Sequence, residues 1–178
     1  SMRAQLEYKQ AAFLDELGDI QPEDVFEPLE GPAWNYRRKA RLSVRDVAAK
    51  ERVLVGFRER NGKFVADMAE CHVLRREAAD LLPELARLLE TMDVRTDIPQ
   101  FEVACGDDRC ALIIRHLAGL SLSDLERLMK FSRLAGVGLY LQPGGPDTVR
   151  PLAPAYFQLG YHINDPALHF NFEPLDFL

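Results

Sequence analysis

Residues 35–46, NYRRKARLSVRD, decide how this 178-residue chain is read. Five of the nine residues from Arg37 to Arg45 are basic, in a chain whose 22 Lys and Arg are outnumbered by 28 Asp and Glu. A strand points successive side chains to opposite faces. Laid out that way, Arg37, Lys39, Arg41, Ser43 and Arg45 share one face, and Ala40, Leu42 and Val44 share the other. The segment reads as a half-buried strand with a cationic outer face, and Arg38 points away from that face. The next stretch repeats the arrangement: Val53, Val55 and Phe57 fall on one side, Arg52, Arg58 and Arg60 on the other. Paired as a hairpin, the two strands merge their basic faces into one patch. Residues 33–63 hold ten Lys and Arg against three acids, a net of +7, inside a chain of net −6.

Outward from this hairpin, the patterns alternate between helix and strand. Residues 3–17 bring Leu6, Phe13, Leu14 and Leu17 near one helical face, and Gly18 stops the helix. A Pro- and acid-rich connection, QPEDVFEPLEGPAW (21–34), reads as extended. A second helix is expected over 75–92, kinked at Pro83 or beginning in earnest there. Residues 100–105 and 110–115 are apolar strands around a turn at Gly106–Arg109. Ser123 followed by Glu126 reads as a capping box opening a third helix that ends at Gly136. Strands are expected at 137–142, 158–163 and 167–172. Hairpins separated by helices predict an α+β fold with a largely antiparallel sheet and about three helices.

Composition narrows the function. A chain of this length suits one domain, with a hydrophobic fraction of 47% that is ordinary for a globular protein. No run approaches 18 apolar residues, so no membrane span or membrane partner is expected, and no signal-peptide core is present. Ser1-Met2 reads as the scar of a cleaved tag. Three cysteines without a secretion signal read as reduced thiols in a cytoplasmic protein. Cys105 and Cys110 flank the 106–109 turn and read as small apolar packing groups, because their spacing to His116 is poor for a metal site. No carboxylate pair and no Ser-His-Asp or Cys-His grouping points to catalysis.

Two readings of the basic face stay open from the residues alone: a solvated strand face, and a polyanion-binding surface. Like charges along one strand face repel and call for a compensating partner. Arginine suits bidentate phosphate contacts. Trp34, Tyr36 and Phe57 lie nearby; each taken singly reads as core, and together they are candidates to stack on bases.

YRRKARLSVR (36–45), VGFRER (55–60) and ECHVL (70–74), in that order, resemble the bacterial 23S rRNA (uracil-5-)-methyltransferases of the RumA/RlmD type, in the RNA 5-methyluridine methyltransferase family. Those proteins carry a Tyr-Arg-rich strand, a G-F-R strand and a C-P-[IV]-L element. The likeness continues through residues 113–141, IIRHLAGLSLSDLERLMKFSRLAGVGLYL. It ends at LHFNFEPLDFL (168–178), which looks like the start of the family's D-F-x-Q-x-N motif.

The resemblance implies a helix and linker over 1–31 and a central RNA-recognition domain over 32–178. It implies that a TRAM domain, a three-cysteine cluster and an S-adenosyl-L-methionine domain of the parent protein lie outside this chain. The chain alone is then expected to be inactive and to bind no cofactor, with the attacking cysteine and the base of the parent enzyme elsewhere. Arg37, Arg41, Arg45 and Arg58 are the expected contacts to 23S rRNA. Cys71 falls where the family supplies one ligand of a [4Fe-4S] cluster, with His72 standing in place of the family's proline. Phe177 matches the phenylalanine at the pocket receiving the flipped uracil. A stand-alone RNA-binding module, or a protein-interaction domain with a basic face, are the other classes the sequence allows.

Overall fold

Lys39–Val47 (β1) and Arg52–Gly56 (β2) form the hairpin that the alternation implies, with Val44 opposite Val55 and Arg45 opposite Leu54. The computed structural model describes residues 1–163 and 165–176. Regular pairing starts at Lys39, so Arg37 lies just outside the strand. Its backbone bridges Leu74 instead, donating to Val73 O and accepting from Arg75 N.

Gln100–Cys105 (β3) and Cys110–Arg115 (β4) form the second hairpin, and β3 lies antiparallel beside β1. Gly138–Gln142 (β5) runs parallel to β4, and the crossover between them is the helix Leu122–Ala135 (α4). A short strand, Arg150–Ala153 (β6), completes a six-stranded sheet of order β2-β1-β3-β4-β5-β6. Its Pro151 is tolerated because the strand sits at the sheet edge, where a missing N–H breaks no internal ladder. Leu159–Ile163 (β7) and Asp165–Phe172 (β8) form a separate two-stranded hairpin. The class is α+β with a mostly antiparallel sheet, as the sequence predicts.

The helices depart from expectation in detail. Met2–Glu16 (α1) is present, but it fully buries none of its residues: of the expected apolar face, Phe13 and Leu14 are exposed and Leu6 and Leu17 half-buried. The expected 75–92 helix is two pieces: a four-residue turn, Arg76–Ala79 (α2), and Leu82–Glu90 (α3). Pro83 sits in the first turn of α3, where its missing N–H removes no helical bond. The cap of α4 is Ser121 rather than Ser123. Ser121 Oγ accepts from Asp124 N at 3.1 Å, while the Ser123 hydroxyl donates to Asp93. Gly136, at φ +67°, closes α4 in the left-handed conformation that glycine favours. No helix among the described residues is long and apolar enough to cross a membrane.

The sheet packs on both faces, unequally. On one face, Leu42, Val53, Phe101, Leu112 and Ile114 join Leu74, Leu85, Leu89 and Leu128 in the main core. On the opposite face, Ala104, Ala111, Ile113 and Tyr140 are covered by Val149, Phe157 and Leu159, a smaller core that reaches no further than β3. The C-terminal segments therefore roof one half of this second face, and β1 and β2 lie outside the roof.

Candidate nucleic-acid interface

On the unroofed half of the second face, Lys39, Arg41, Ser43 and Arg45 alternate with buried Ala40, Leu42 and Val44, as the sequence predicts. Arg41 and Arg45 are exposed and Lys39 is half-buried. Burial is the main influence lowering the Lys39 pKa, opposed by the nearby Glu102 carboxylate.

The cations are not equivalent. Glu102, on β3 directly opposite Arg41, is 5% exposed and accepts from Arg41 Nε at 3.0 Å and Nη2 at 2.9 Å. Gln100 Nε2 donates to the same carboxylate. This buried acid is the compensating partner that a ladder of like charges requires. Arg52 is likewise engaged: it pairs with Asp67, which also takes Lys50 at 2.6 Å. The Lys50 hydrogen bond is the leading cause of a lowered Asp67 pKa. The merged patch expected from Arg52, Arg58 and Arg60 is thus reduced at the Arg52 end.

Arg45 makes no hydrogen bond or ion pair among the described residues. Arg58 lies beyond the end of β2 and turns back over the same face, with Nε 3.3 Å from Ser43 Oγ. Arg37 sits over the ring of half-buried Phe57, its guanidinium carbon 5.5 Å from the centroid. The fold therefore places Arg41, Arg45 and Arg58 on one side of the β1–β2 hairpin, with Arg41 already partnered, while Arg37 lies over Phe57, which packs against the main core.

The aromatic residues correct a sequence expectation. Trp34 and Tyr36, read singly as core, are 64% and 52% exposed. Trp34 meets His72 edge-on, ring centroids 5.8 Å apart. They precede β1 in the chain segment whose backbone bridges Leu74, and they line a cleft shared with Leu6, Leu29 and Val73. Exposed aromatic rings stack bases and exposed arginines neutralise phosphates, and the segment leading into β1 carries the first while β1 carries the second.

Cys71 is free and buried, at the edge of a cleft of about 480 Å³ that also includes Asn35, His72 and Arg76. Cys105 and Cys110, expected as reduced thiols, are joined in a disulfide. They are directly opposed across β3 and β4, which brings their Cβ atoms within bonding reach. Among the described residues no group of three His, Cys, Asp or Glu is placed to hold a metal ion. One free thiol does not hold an iron–sulfur cluster, which takes several. The donor set here does not fit a cluster by itself. Phe177 lies outside the described residues.

The histidines absent from the sequence-level site also find partners. His116 is buried with Nδ1 2.8 Å from Ala118 O. Asp107 accepts from His162 N at 2.8 Å and pairs with Arg38 at 2.7 Å, and these contacts depress its pKa, the His162 backbone bond foremost. His162 in turn lies 3.2 Å from His169, nitrogen to nitrogen.

No family model matches the chain. Individual relatives do. It is 48% identical to a protein of Verminephrobacter eiseniae named 23S rRNA (uracil(1939)-C(5))-methyltransferase RlmD, over 99% of this chain and 37% of the relative. Proteins of the same name from Hahella chejuensis and Xanthomonas campestris pv. campestris are 46% and 42% identical, over 97% and 93% of this chain. The chain spans 37–40% of the length of these three relatives.

Proposed function

Because this chain is related over nearly its whole length to a part of the 23S rRNA (uracil-C5)-methyltransferases, we propose that it is the RNA-recognising central region of such an enzyme. The parent protein methylates uracil C5 in 23S rRNA, drawing its methyl group from S-adenosyl-L-methionine bound by a domain outside this chain. In this reading residues 1–31 are a helix and linker, and residues 32–178 are the recognition domain. The observation that carries it is the unroofed half of the sheet. In an acidic chain, the outer face of β1 presents Arg45 to solvent with Arg58 turned over it, and Trp34 and Tyr36 are exposed in the segment that leads into the strand. Phosphates are the partners that such arginines take most readily.

Each proposed residue has a role in this account. Arg45 and Arg58 contact phosphate directly. Arg37 contacts phosphate or stacks with its ring-backed guanidinium, and Arg41 contributes from within its pair with Glu102. Cys71 contributes one thiolate to a cluster whose other ligands come from elsewhere in the parent protein. Phe177 supports the extruded uracil. The chain itself carries out no methyl transfer, and it functions in the cytoplasm, where rRNA is matured.

The test is paired. The 178-residue chain is titrated with a 23S rRNA stem-loop at low salt, and separately incubated with that RNA and methyl-labelled S-adenosyl-L-methionine. Binding without label incorporation is expected. Absence of binding by the folded chain removes the recognition role, and label in uridine removes the claim that the chain is inactive alone.

A further inference from the structure

We infer that the cleft between the start of β1 and the β7–β8 hairpin is a pocket for one unstacked nucleobase of a bound nucleotide. This rests on the RNA reading above and adds to it a second kind of contact, to a base rather than to phosphate.

The cleft encloses about 380 Å³. That falls within the range of preformed small-ligand pockets. Ala104 and the disulfide-bonded Cys105 line it from β3, Arg38 and Lys39 from β1, and Tyr161 and Phe172 from the hairpin. The pairing of the hairpin explains why rings reach the cleft. Leu159 pairs with Phe172 and helps to close the smaller core. Two residues further along the same face, Tyr161 pairs with Phe170 beyond the end of that core. Their rings stack at 5.5 Å and 16°, and Phe172 stands tilted to Tyr161 at 57° with centroids 5.8 Å apart. Phe170 is left 45% exposed. The hairpin thus carries more aromatic surface than its core uses.

The walls are fixed in place without a ligand. A Cβ on Gly106 would lie 2.5 Å from Gly160 O, so the hairpin backbone lies directly on the β3–β4 turn, where Asp107 N donates to Gly160 O at 2.8 Å. Asp107 then ties both sides together, taking His162 N with one carboxylate oxygen and Arg38 with the other. A cleft already held open by backbone contacts asks little ordering of its occupant or of itself.

The chemistry of the lining selects the ligand class. Flat apolar surfaces from Tyr161 and Phe172 suit a planar ring, while Arg38 and Lys39 at one side suit its attached phosphate. Lys39 is also the first rung of the cationic face, and Arg45 lies six residues along the same strand, about 20 Å away at strand spacing. A strand of RNA on the open face therefore reaches the cleft without leaving cationic surface.

The experiment is a titration of the isotope-labelled 178-residue chain with uridine 5′-monophosphate, followed by amide chemical shifts, with ribose 5-phosphate as the control lacking a base. Shifts at Ala104, Cys105, Tyr161 and His162 with the nucleotide, and not with the sugar phosphate, are expected. Tyr161→Leu, which keeps an apolar side chain but removes the ring face, is expected to weaken the nucleotide by about five-fold or more. Unmoved amides, or equal shifts from both compounds, overturn the pocket. So does broadening of the Tyr161 signal with protein concentration alone, which marks a self-association surface. The two readings separate cleanly. If Arg45→Ala weakens an oligonucleotide while uridine monophosphate moves nothing, the phosphate surface stands and the pocket falls. If the nucleotide shifts persist while no oligonucleotide binds, the pocket stands and the phosphate surface falls.

Discussion

One face of one sheet is finished in two ways. Over β3 to β5 its residues are Ala104, Ala111, Ile113 and Tyr140, and Val149, Phe157 and Leu159 lie on them. Over β1 the equivalent positions are Lys39, Arg41, Ser43 and Arg45, and no core forms there. The difference lies in the cost of covering them. Roofing apolar side chains removes apolar area from water at a gain of about 25 cal/mol per Å². Roofing cations costs several kcal/mol each in lost hydration. Glu102 stands at the boundary, buried on the roofed side and paired with Arg41 on the open side. The sequence therefore decides, residue by residue along two neighbouring strands, which half is core and which half stays open to solvent.

The largest test of that contrast is stability. Ile113→Ala, 2% exposed under the roof, is expected to cost about 2–5 kcal/mol in urea denaturation. Arg45→Ala, on the same face two strands away, is expected to stay within about 0.5 kcal/mol. Equal costs would erase the distinction between the halves. Gly106→Val attacks the roof through the hairpin that docks at Gly160, and is expected to cost about 1–3 kcal/mol. Hydrogen exchange should then speed up at β7 and remain unchanged in β1 and β2. Glu102→Gln acts at the boundary, with an expected loss of about 1–3 kcal/mol as Arg41 loses its charged partner. The same change should strengthen RNA binding and steepen its salt dependence by about one phosphate contact. A variant that weakens RNA binding would show Glu102 to be part of the contact surface.

The smallest effect concerns the link between the halves. Arg75 donates to Asp107 O at 3.0 Å and to the Glu77 carboxylate at 2.7 Å. The Arg75 hydrogen bond is the main reason the Glu77 pKa falls from 4.5 to about 2. A depressed carboxylate stabilises the fold above its unfolded pKa, and that contribution is lost as pH falls through the folded value. The window is therefore about pH 4.5 down to about 2. Because Glu77 is half-exposed, Glu77→Gln should flatten this limb of an acid titration by less than about 1 kcal/mol. An unchanged limb would show that Glu77 contributes nothing to it.

The β1 alternation was readable because one face of that strand is buried and the other is not, which is the condition under which period two survives in a sequence. The 100–105 and 110–115 hairpin was readable from its apolar runs and its turn. Glu102 was not readable as a partner of Arg41, because the pairing spans 61 positions and exists only once β3 lies beside β1. With that register known, the alternation of QFEVAC places Glu102 on the cationic side. The Ser121 cap is not legible in the sequence because Ser121 and Ser123 both precede acids three residues on and both donate to Asp93; only the bond that Ser121 Oγ accepts from Asp124 N separates them. The disulfide was missed because absence of a secretion signal argued for free thiols, whereas cross-strand opposition is a local geometric fact. Trp34 and Tyr36 were read as core because aromatic residues usually are; their exposure depends on a backbone bridge to Leu74 that no periodicity encodes.

The most direct measurement is the affinity of the 178-residue chain for a short 23S rRNA stem-loop across a salt series, repeated for Arg45→Ala combined with Arg58→Ala. Steep salt dependence is expected for the parent sequence, with the double variant losing affinity and about two phosphate contacts' worth of slope. Unchanged affinity and slope in a double variant that folds normally would contradict the account, and would make the open half of the sheet a solvated face and nothing more.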